Sequence, residues 1–460
     1  MAGSFTQIFF TFLEVIEITF TRNPFRMMRD SMFSLKGNAR TLVFSEPIFS
    51  IPYNMFAGYM TLFMLETGVS KSQVGMITSL GMALNILFAL SSAYLTDRFG
   101  RRYTTFFFDI MGWALPQLIW ALAGNIYFFI AGAIIGAFGR VSMNSYTCLM
   151  LEDSTPKMRV HALNFMQIAS ILAGFFAPVG GLLISRLTLA PAMRIMLGVS
   201  FVTAFPLFFI RNLFLSETLV GRQKMQEMKK VHLWAVMKGY LPVLLRMVKN
   251  RLLLIVLLMR TFYFIQMTLR GTFLSVLITE RLGFPAETMA VFQTLNAIVM
   301  LLILIFITPI LSQFMKHWPI TLGIWFHVAA TAALLLSPLG QNYPVLIISA
   351  VLLALGSSIA SPRIEALAAN TITNEDRSVI NGLDLVILML ISTPFGFIGG
   401  VLAEMDVRLP ILLTLVIFLL CLLLLRAVAF EEKRRERMNS GEERIATPLL
   451  DQAVSAELPK

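Results

Sequence analysis

Four arginines and four acids lie inside long apolar runs, where a charge is costly and therefore marks a candidate site. The arginines are Arg140, Arg260, Arg270 and Arg363. The acids are Glu46, Asp109, Glu365 and Asp384. A guanidinium in such a place can anchor a polar or anionic solute. A carboxyl group can take up a proton and shed its charge. Equal numbers of the two also suit mutual pairing inside an apolar phase. Arg140 stands near the middle of its run, with Asn144 one turn on and on the same face. Arg270 lies deep in its run, one turn after Gln266. Arg363 and Glu365 are two residues apart, about 200° around a helix, so they do not face one cavity together. These residues divide into solute-binding candidates (Arg140, Asn144, Gln266, Arg270 and Arg363) and proton-carrying candidates (Glu46, Asp109 and Glu365).

The runs that hold these charges set the class of the protein. The chain has 460 residues, 57% of them hydrophobic and only 14% charged, with a mean hydropathy of +0.77. Soluble domains are about 25% charged. Apolar surface on this scale needs lipid around it. Twelve runs approach the ~20 residues that cross the hydrocarbon. They fall near 43–66, 73–95, 104–123, 126–151, 162–185, 195–213, 253–279, 288–311, 319–337, 344–369, 379–404 and 409–429. The expected fold is an all-α membrane protein with both termini cytoplasmic. Of the 37 Lys and Arg, only Lys71, Arg186, Arg194, Arg281 and Arg408 fall on the side opposite the termini, and four lie deep inside spans, with Arg211 and Arg426 counted to the cytoplasmic ends of theirs. That asymmetry sets the orientation.

Residues 1–42 read as an amphipathic, basic segment lying in the cytoplasmic interface, with Phe5, Ile8, Phe9, Phe12, Ile16 and Phe20 spaced along one face. Residues 43–213 hold six spans, 214–252 form a basic cytoplasmic linker, 253–429 hold six more spans, and 430–460 form a charged tail. The halves repeat: Glu66–Arg102 aligns on Arg281–His317, and Asn164-Phe165-Met166-Gln167 on Asn381-Gly382-Leu383-Asp384. Such a repeat implies two six-helix bundles with a binding site between them near the midplane.

Several functions are excluded or disfavoured. The net charge of +11 comes from loops beside apolar spans, which points to membrane orientation and away from nucleic acid. Cys148 and Cys421 lie within spans and form neither a disulfide framework nor a metal site. His161, His232, His317 and His327 are scattered. With no nucleophile–base pair and no phosphate-cradling glycine loop, an enzyme is not expected, and neither is a cofactor.

Between the second and third spans runs Ala93-Tyr94-Leu95-Thr96-Asp97-Arg98-Phe99-Gly100-Arg101-Arg102. This stretch resembles the loop between helices 2 and 3 of major facilitator superfamily transporters, G-x-L-a-D-r-x-G-r-r, with Ala93 in place of the first Gly. Thr155-Pro156-Lys157-Met158-Arg159-Val160-His161-Ala162 resembles the loop after helix 4. Ala177-Pro178-Val179-Gly180-Gly181 is similar to the G-P-x-x-G-G signature of helix 5, frequent among antiporters. Ser216-Glu217-Thr218 resembles the pair that follows helix 6. The resemblance spans residues 43–429.

It implies secondary active transport of a small molecule by alternating access, with proton-coupled efflux as the leading expectation. Uptake of an anionic or sugar-like solute is one alternative; a lipid flippase or membrane sensor is another. The expected partners are the bilayer, a small-molecule substrate and protons, and the chain is expected to be a monomer in a bacterial-type cell membrane. The loop is expected to act as a gating latch made of Asp97, Arg98, Gly100, Arg101 and Arg102. Asp97 would sit near the start of helix 11, close to Asp384, and Arg101 or Arg102 would pair with Glu152 or Asp153.

Overall fold

Every regular element among the described residues is helical. The computed structural model describes residues 32–231, 247, 250–307, 317–371 and 377–456, with the side chains of 230, 305, 307, 377–382 and 436–456 left aside. Most of the basic interfacial segment, the middle of the linker and residues 308–316, which include most of the repeat mate of the Gly100 loop, lie outside that set.

The first half contains α1 (Gly37–Ala57), α2 (Met60–Glu66), α3 (Lys71–Phe99), α4 (Arg101–Asp109), α5 (Leu115–Ala121), α6 (Ile126–Gly136), α7 (Gly139–Leu151), α8 (Pro156–Ala173), α9 (Ala177–Leu187) and α10 (Leu189–Phe214). The short α11 (Leu219–Glu227) follows. The second half contains α12 (Arg251–Val276), α13 (Thr288–Leu302), α14 (Trp318–Leu336), α15 (Tyr343–Thr371), α16 (Arg377–Met405) and α17 (Leu409–Ala456). Among the described residues, nine helices are long and apolar enough to cross a membrane; α1 and α2, bent by 47° at their junction, make a tenth. Polar caps start the helices where the runs begin. Ser70 and Gln73 form a reciprocal capping box at α3, Asn125 caps α6, Thr155 caps α8 ahead of Pro156, and Asn250 caps α12. A π turn, Ile110–Ala114, joins α4 to α5 immediately after Asp109.

The two halves meet mainly along α3 with α16 and along α9 with α13. At the end where α3 begins, called here the far end, one apolar core is shared by both halves. Phe56, Tyr59, Val74 and Ile184 pack in a single cluster with Leu277, Met289, Leu334 and Ile411. Gly75 on α3 permits this closeness: a Cβ there would come within 2.8 Å of the Gly400 Cα on α16. Polar links cross the same seam. Lys71 pairs with Glu280 at 2.6 Å, the Ser72 N–H donates to Glu404 at 3.1 Å, and Ser79 bridges the Thr393 carbonyl and the Phe397 N–H.

At the opposite end, where the Gly100 loop lies, the halves keep separate cores. One gathers Leu35, Leu42, Leu149 and Phe165. The other gathers Leu252, Val256, Ile364 and Leu425. The molecule is thus welded at the far end and divided at the loop end.

Candidate functional site

In the first half the buried charges converge beside a cavity of about 310 Å³. Asp109, at the end of α4, forms an ion pair with Arg211 on α10 and accepts a hydrogen bond from Ser142 on α7. Both charged side chains are at most 5% exposed. Arg211 also lies over the rings of Tyr146 (5.3 Å) and Phe208 (4.9 Å). The Tyr146 hydroxyl donates to Glu46 on α1 at 3.2 Å. Among the described residues no cation lies within ion-pair distance of Glu46. Phe49, Trp113, Met143 and Met166 complete the apolar walls, so the cavity is an aromatic and methionine-lined chamber with carboxylates at its edge.

Arg140 and Asn144 stand one turn apart on α7, as their spacing predicts, yet they do different things. The Asn144 amide donates to Thr96 on α3 at 3.1 Å. Arg140 is half-buried, reaches only the Met143 sulfur at 3.7 Å, and has no carboxylate partner among the described residues.

In the second half both acids are bound to one cation. Arg260 on α12 holds Glu365 on α15 (2.7 Å) and Asp384 on α16 together. Asp384 is only 2% exposed. The structure therefore places Asp384 inside a triad of its own half, while the ion-pair partner of Asp97 is Arg101. The Glu365 carboxylate joins the triad, and among the described residues Arg363 makes no ion pair.

Nearly three turns further along α12, at Arg270, lies a polar chain without acids. Arg270 donates to His327 Nδ1 on α14 (3.0 Å) and to the Ser357 hydroxyl on α15 (3.3 Å). His327 Nε2 meets the Tyr263 hydroxyl at 3.2 Å, and its ring stacks on Phe418 at 4.8 Å with 6° between planes. Gly356 makes room for the imidazole, since a Cβ there would lie 2.8 Å from His327 Cδ2. Gln266 is wholly buried on α12, and neither of its amide atoms has a partner among the described residues.

The Gly100 loop is a compact knot within the first half. Gly100 has φ +85°, a conformation open to glycine, and a Cβ there would also press on Glu217 at 2.6 Å. Glu217 accepts the backbone N–H groups of Arg101 and Arg102, both at 3.0 Å, at the start of α4, where an anion is stabilised by the helix dipole. Arg101, 4% exposed, holds Asp97 (2.8 Å) and Glu152 (3.1 Å). Thr218 donates to Glu152. Arg102 donates to the Asn212 carbonyl at 2.7 Å, Arg98 to Tyr94 at 2.6 Å, and Asp153 accepts weakly from the Leu219 N–H at 3.4 Å.

Sequence reasoning missed several of these partners. Arg211 reads as a loop cation because it stands in the last turn of its span, yet α10 runs on to Phe214 and carries it inside. The signal was the apolar pair Leu213-Phe214 beyond it. His327 reads as isolated because its partners come from two other helices, Arg270 and Tyr263 from α12 and Phe418 from α17; its one clue was its place in the middle of an apolar run. Among the described residues, no group of three His, Cys, Asp or Glu is placed to hold a metal ion.

Comparison with known proteins bears on this arrangement. No curated protein matches the sequence. Among solved structures, the nucleoside transporter NupG, in a mutant form, superposes with a TM-score of 0.65 at 11% identity, over 85% of this chain and 99% of that one. The human organic anion transporter MFSD10 superposes with a TM-score of 0.58 at 15% identity, over 84% and 98%. A bacterial homologue of the human lysosomal transporter Spinster, in an inward-facing and occupied conformation, gives 0.62 at 14%, over 85% and 96%. At such identities the likeness establishes the fold. The sequence profile of the Major Facilitator Superfamily matches residues 42–383 and 271–457. Its transporters bind small molecules, and with a matching profile across nearly the whole chain, this protein belongs to the Major Facilitator Superfamily.

Proposed function

We propose that the protein is a secondary carrier that moves a small molecule across a cell membrane by alternating access, in the conformation open at the loop end. The observation that carries this reading is the pairing of one shared core at the far end with two separate cores at the loop end. Two rigid halves hinged at one end leave a path to the midplane from the other. The twelve-span reading adds the sequence runs 104–123 and 288–311 to the ten spans above, giving two bundles of six. The concentration of Lys and Arg at the loop end supports a cytoplasmic placement of that end and of both termini.

Proton coupling is assigned to Glu46. Its carboxylate lies inside a span, beside the chamber, with the Tyr146 hydroxyl as donor and no cation in ion-pair range among the described residues. Gaining a proton there removes a charge, which eases reorientation within lipid. Export in exchange for protons is the direction that the Ala177-Pro178-Val179-Gly180-Gly181 stretch supports.

The test uses pairs of spin labels in the full chain, in nanodiscs. One pair, at Phe99 and Asn370, reports the loop end; the other, at Leu187 and Leu339, reports the far end. Between pH 5 and pH 8 the two distances are expected to change in opposite directions, and Glu46→Gln to abolish the pH dependence. Two distances that stay fixed, or that change in the same sense, would sink the carrier reading.

A further inference from the structure

We propose that Arg270 is a pre-oriented anion anchor, and that the solute carries an anionic group, carboxylate or phosphate-like, which this guanidinium grips. The proposal deepens the carrier reading and rests on it for the word solute. It stands on three features of the second half. First, the two candidate acids inside the second-half spans, Glu365 and Asp384, are already bound to Arg260, and Glu404 lies at the far end of its span, where it accepts the Ser72 N–H. Arg270 is therefore left with neutral partners among the described residues. Second, those partners fix the guanidinium without neutralising it. An arginine only donates, so His327 Nδ1 must accept, and the ring proton sits on Nε2 and is given to Tyr263. Phe418 stacked on the ring, and Ser357 on the other nitrogen, hold the plane in place. Two of the five N–H groups hold position, and the half-buried remainder of the fork, without a partner among the described residues, can take two oxygens side by side. Third, Gln266 lies one turn earlier on the same stripe as Tyr263 and Arg270, wholly buried, with both amide atoms lacking partners among the described residues. Buried polar atoms are rarely left so. An amide that can donate to an anion's oxygen beside the guanidinium gives this one a purpose.

His327 acts through Arg270 as a positioning residue. It excludes a second cation from its own ring and aims the existing one.

The test places a thiol at Ser361, one turn from Ser357 on the same face of α15 and half-buried, in a Cys148→Ser, Cys421→Ser background. Labelling rates are compared for two methanethiosulfonates, one carrying a sulfonate and one a trimethylammonium group. Their ratio, normalised to the ratio on a free thiol, cancels effects on thiolate content. A fixed positive charge within several ångströms is expected to favour the sulfonate by about tenfold. Arg270→Gln should bring the ratio to that of the free thiol and Arg270→Lys should keep most of it. His327→Ala should lower it, and His327→Gln, whose amide oxygen still accepts from Arg270, should restore it. On unaltered Arg270, benzoate should slow the sulfonate reaction and benzamide should not, which keeps the test sharp if Arg270→Gln is not recovered folded. A ratio indifferent to Arg270, equal protection by the acid and its amide, or a thiol that reacts with neither reagent would overturn the proposal. Spin-label distances that never change would instead remove the carrier reading and leave this ratio as it is.

Discussion

Replacing Asp109 by Asn should destabilise the first half sharply, because it strands a buried cation. Asp109 and Arg211 are 5% and 4% exposed, and the acid receives Ser142 as well. Removing one member of a buried pair costs about 3–5 kcal/mol, mostly the desolvation of the survivor. Two features lower that figure here. The rings of Tyr146 and Phe208 still face the guanidinium, worth about 0.5–2 kcal/mol together. The Asn oxygen can also keep one acceptor in place. A net loss of about 3 kcal/mol follows, roughly a hundredfold in the unfolding equilibrium. The assay is reversible unfolding of the full chain in mixed micelles with increasing dodecyl sulfate. Arg211→Met should cost a similar amount, by stranding the acid. The double variant Asp109→Leu, Arg211→Met should recover most of the loss, since apolar residues of similar volume often replace a buried pair at little cost. A single-variant loss below about 1 kcal/mol, or a double variant as unstable as the sum of the singles, would refute the reasoning.

Three further predictions concern the two ends. Gly75→Val should force α3 and α16 apart at the far end, at a cost of about 1–3 kcal/mol to that closed state; the Leu187–Leu339 label distance should lengthen, and an unchanged distance would contradict the packing account. Arg101→Ala removes charge-assisted bonds to Asp97 and Glu152 and should destabilise the loop knot by about 2 kcal/mol, read as faster proteolysis near Gly100. In the far-end turn, the Arg408 side chain and its backbone N–H hold the Asp406 carboxyl down at about 2. Because that value lies below the unfolded one, the turn's ionic contribution is present above about pH 4 and fades as pH falls toward 2. A carbon-13 titration of Asp406 should show a midpoint near 2, and Arg408→Ala should return it to the ordinary carboxylate range.

The parts of this molecule legible in the sequence are those set by local rules. Span positions follow from apolar length, and the helix starts at Ser70, Asn125, Thr155 and Asn250 follow from side chains that cap their own backbone. Pairing between helices was not legible, because it depends on which faces meet. Asp384 looked like a latch residue from its place at the start of a span, and it is Arg260, more than a hundred positions earlier, that binds it. Arg211 looked external because a cation near a span end normally snorkels outward. Here the ring of Tyr146 and the carboxylate of Asp109 draw it inward. The π turn after Asp109 also shifts every later face of that span by about one residue, which no fixed period of 3.6 anticipates.

In the alternating-access cycle proposed above, the shared core at the far end would give transport a thermal signature. Opening that end would bring Ile184, Leu277, Met289 and Ile411 into contact with water entering the cavity. Hydration of apolar surface raises heat capacity, so the free energy of opening must curve with temperature. Apolar association weakens on cooling, and the far-end-open population should therefore rise in the cold. A linear van't Hoff plot of the Leu187–Leu339 distance populations would mean that the seam is held by its polar links, Lys71–Glu280 and Ser79–Thr393, rather than by its core.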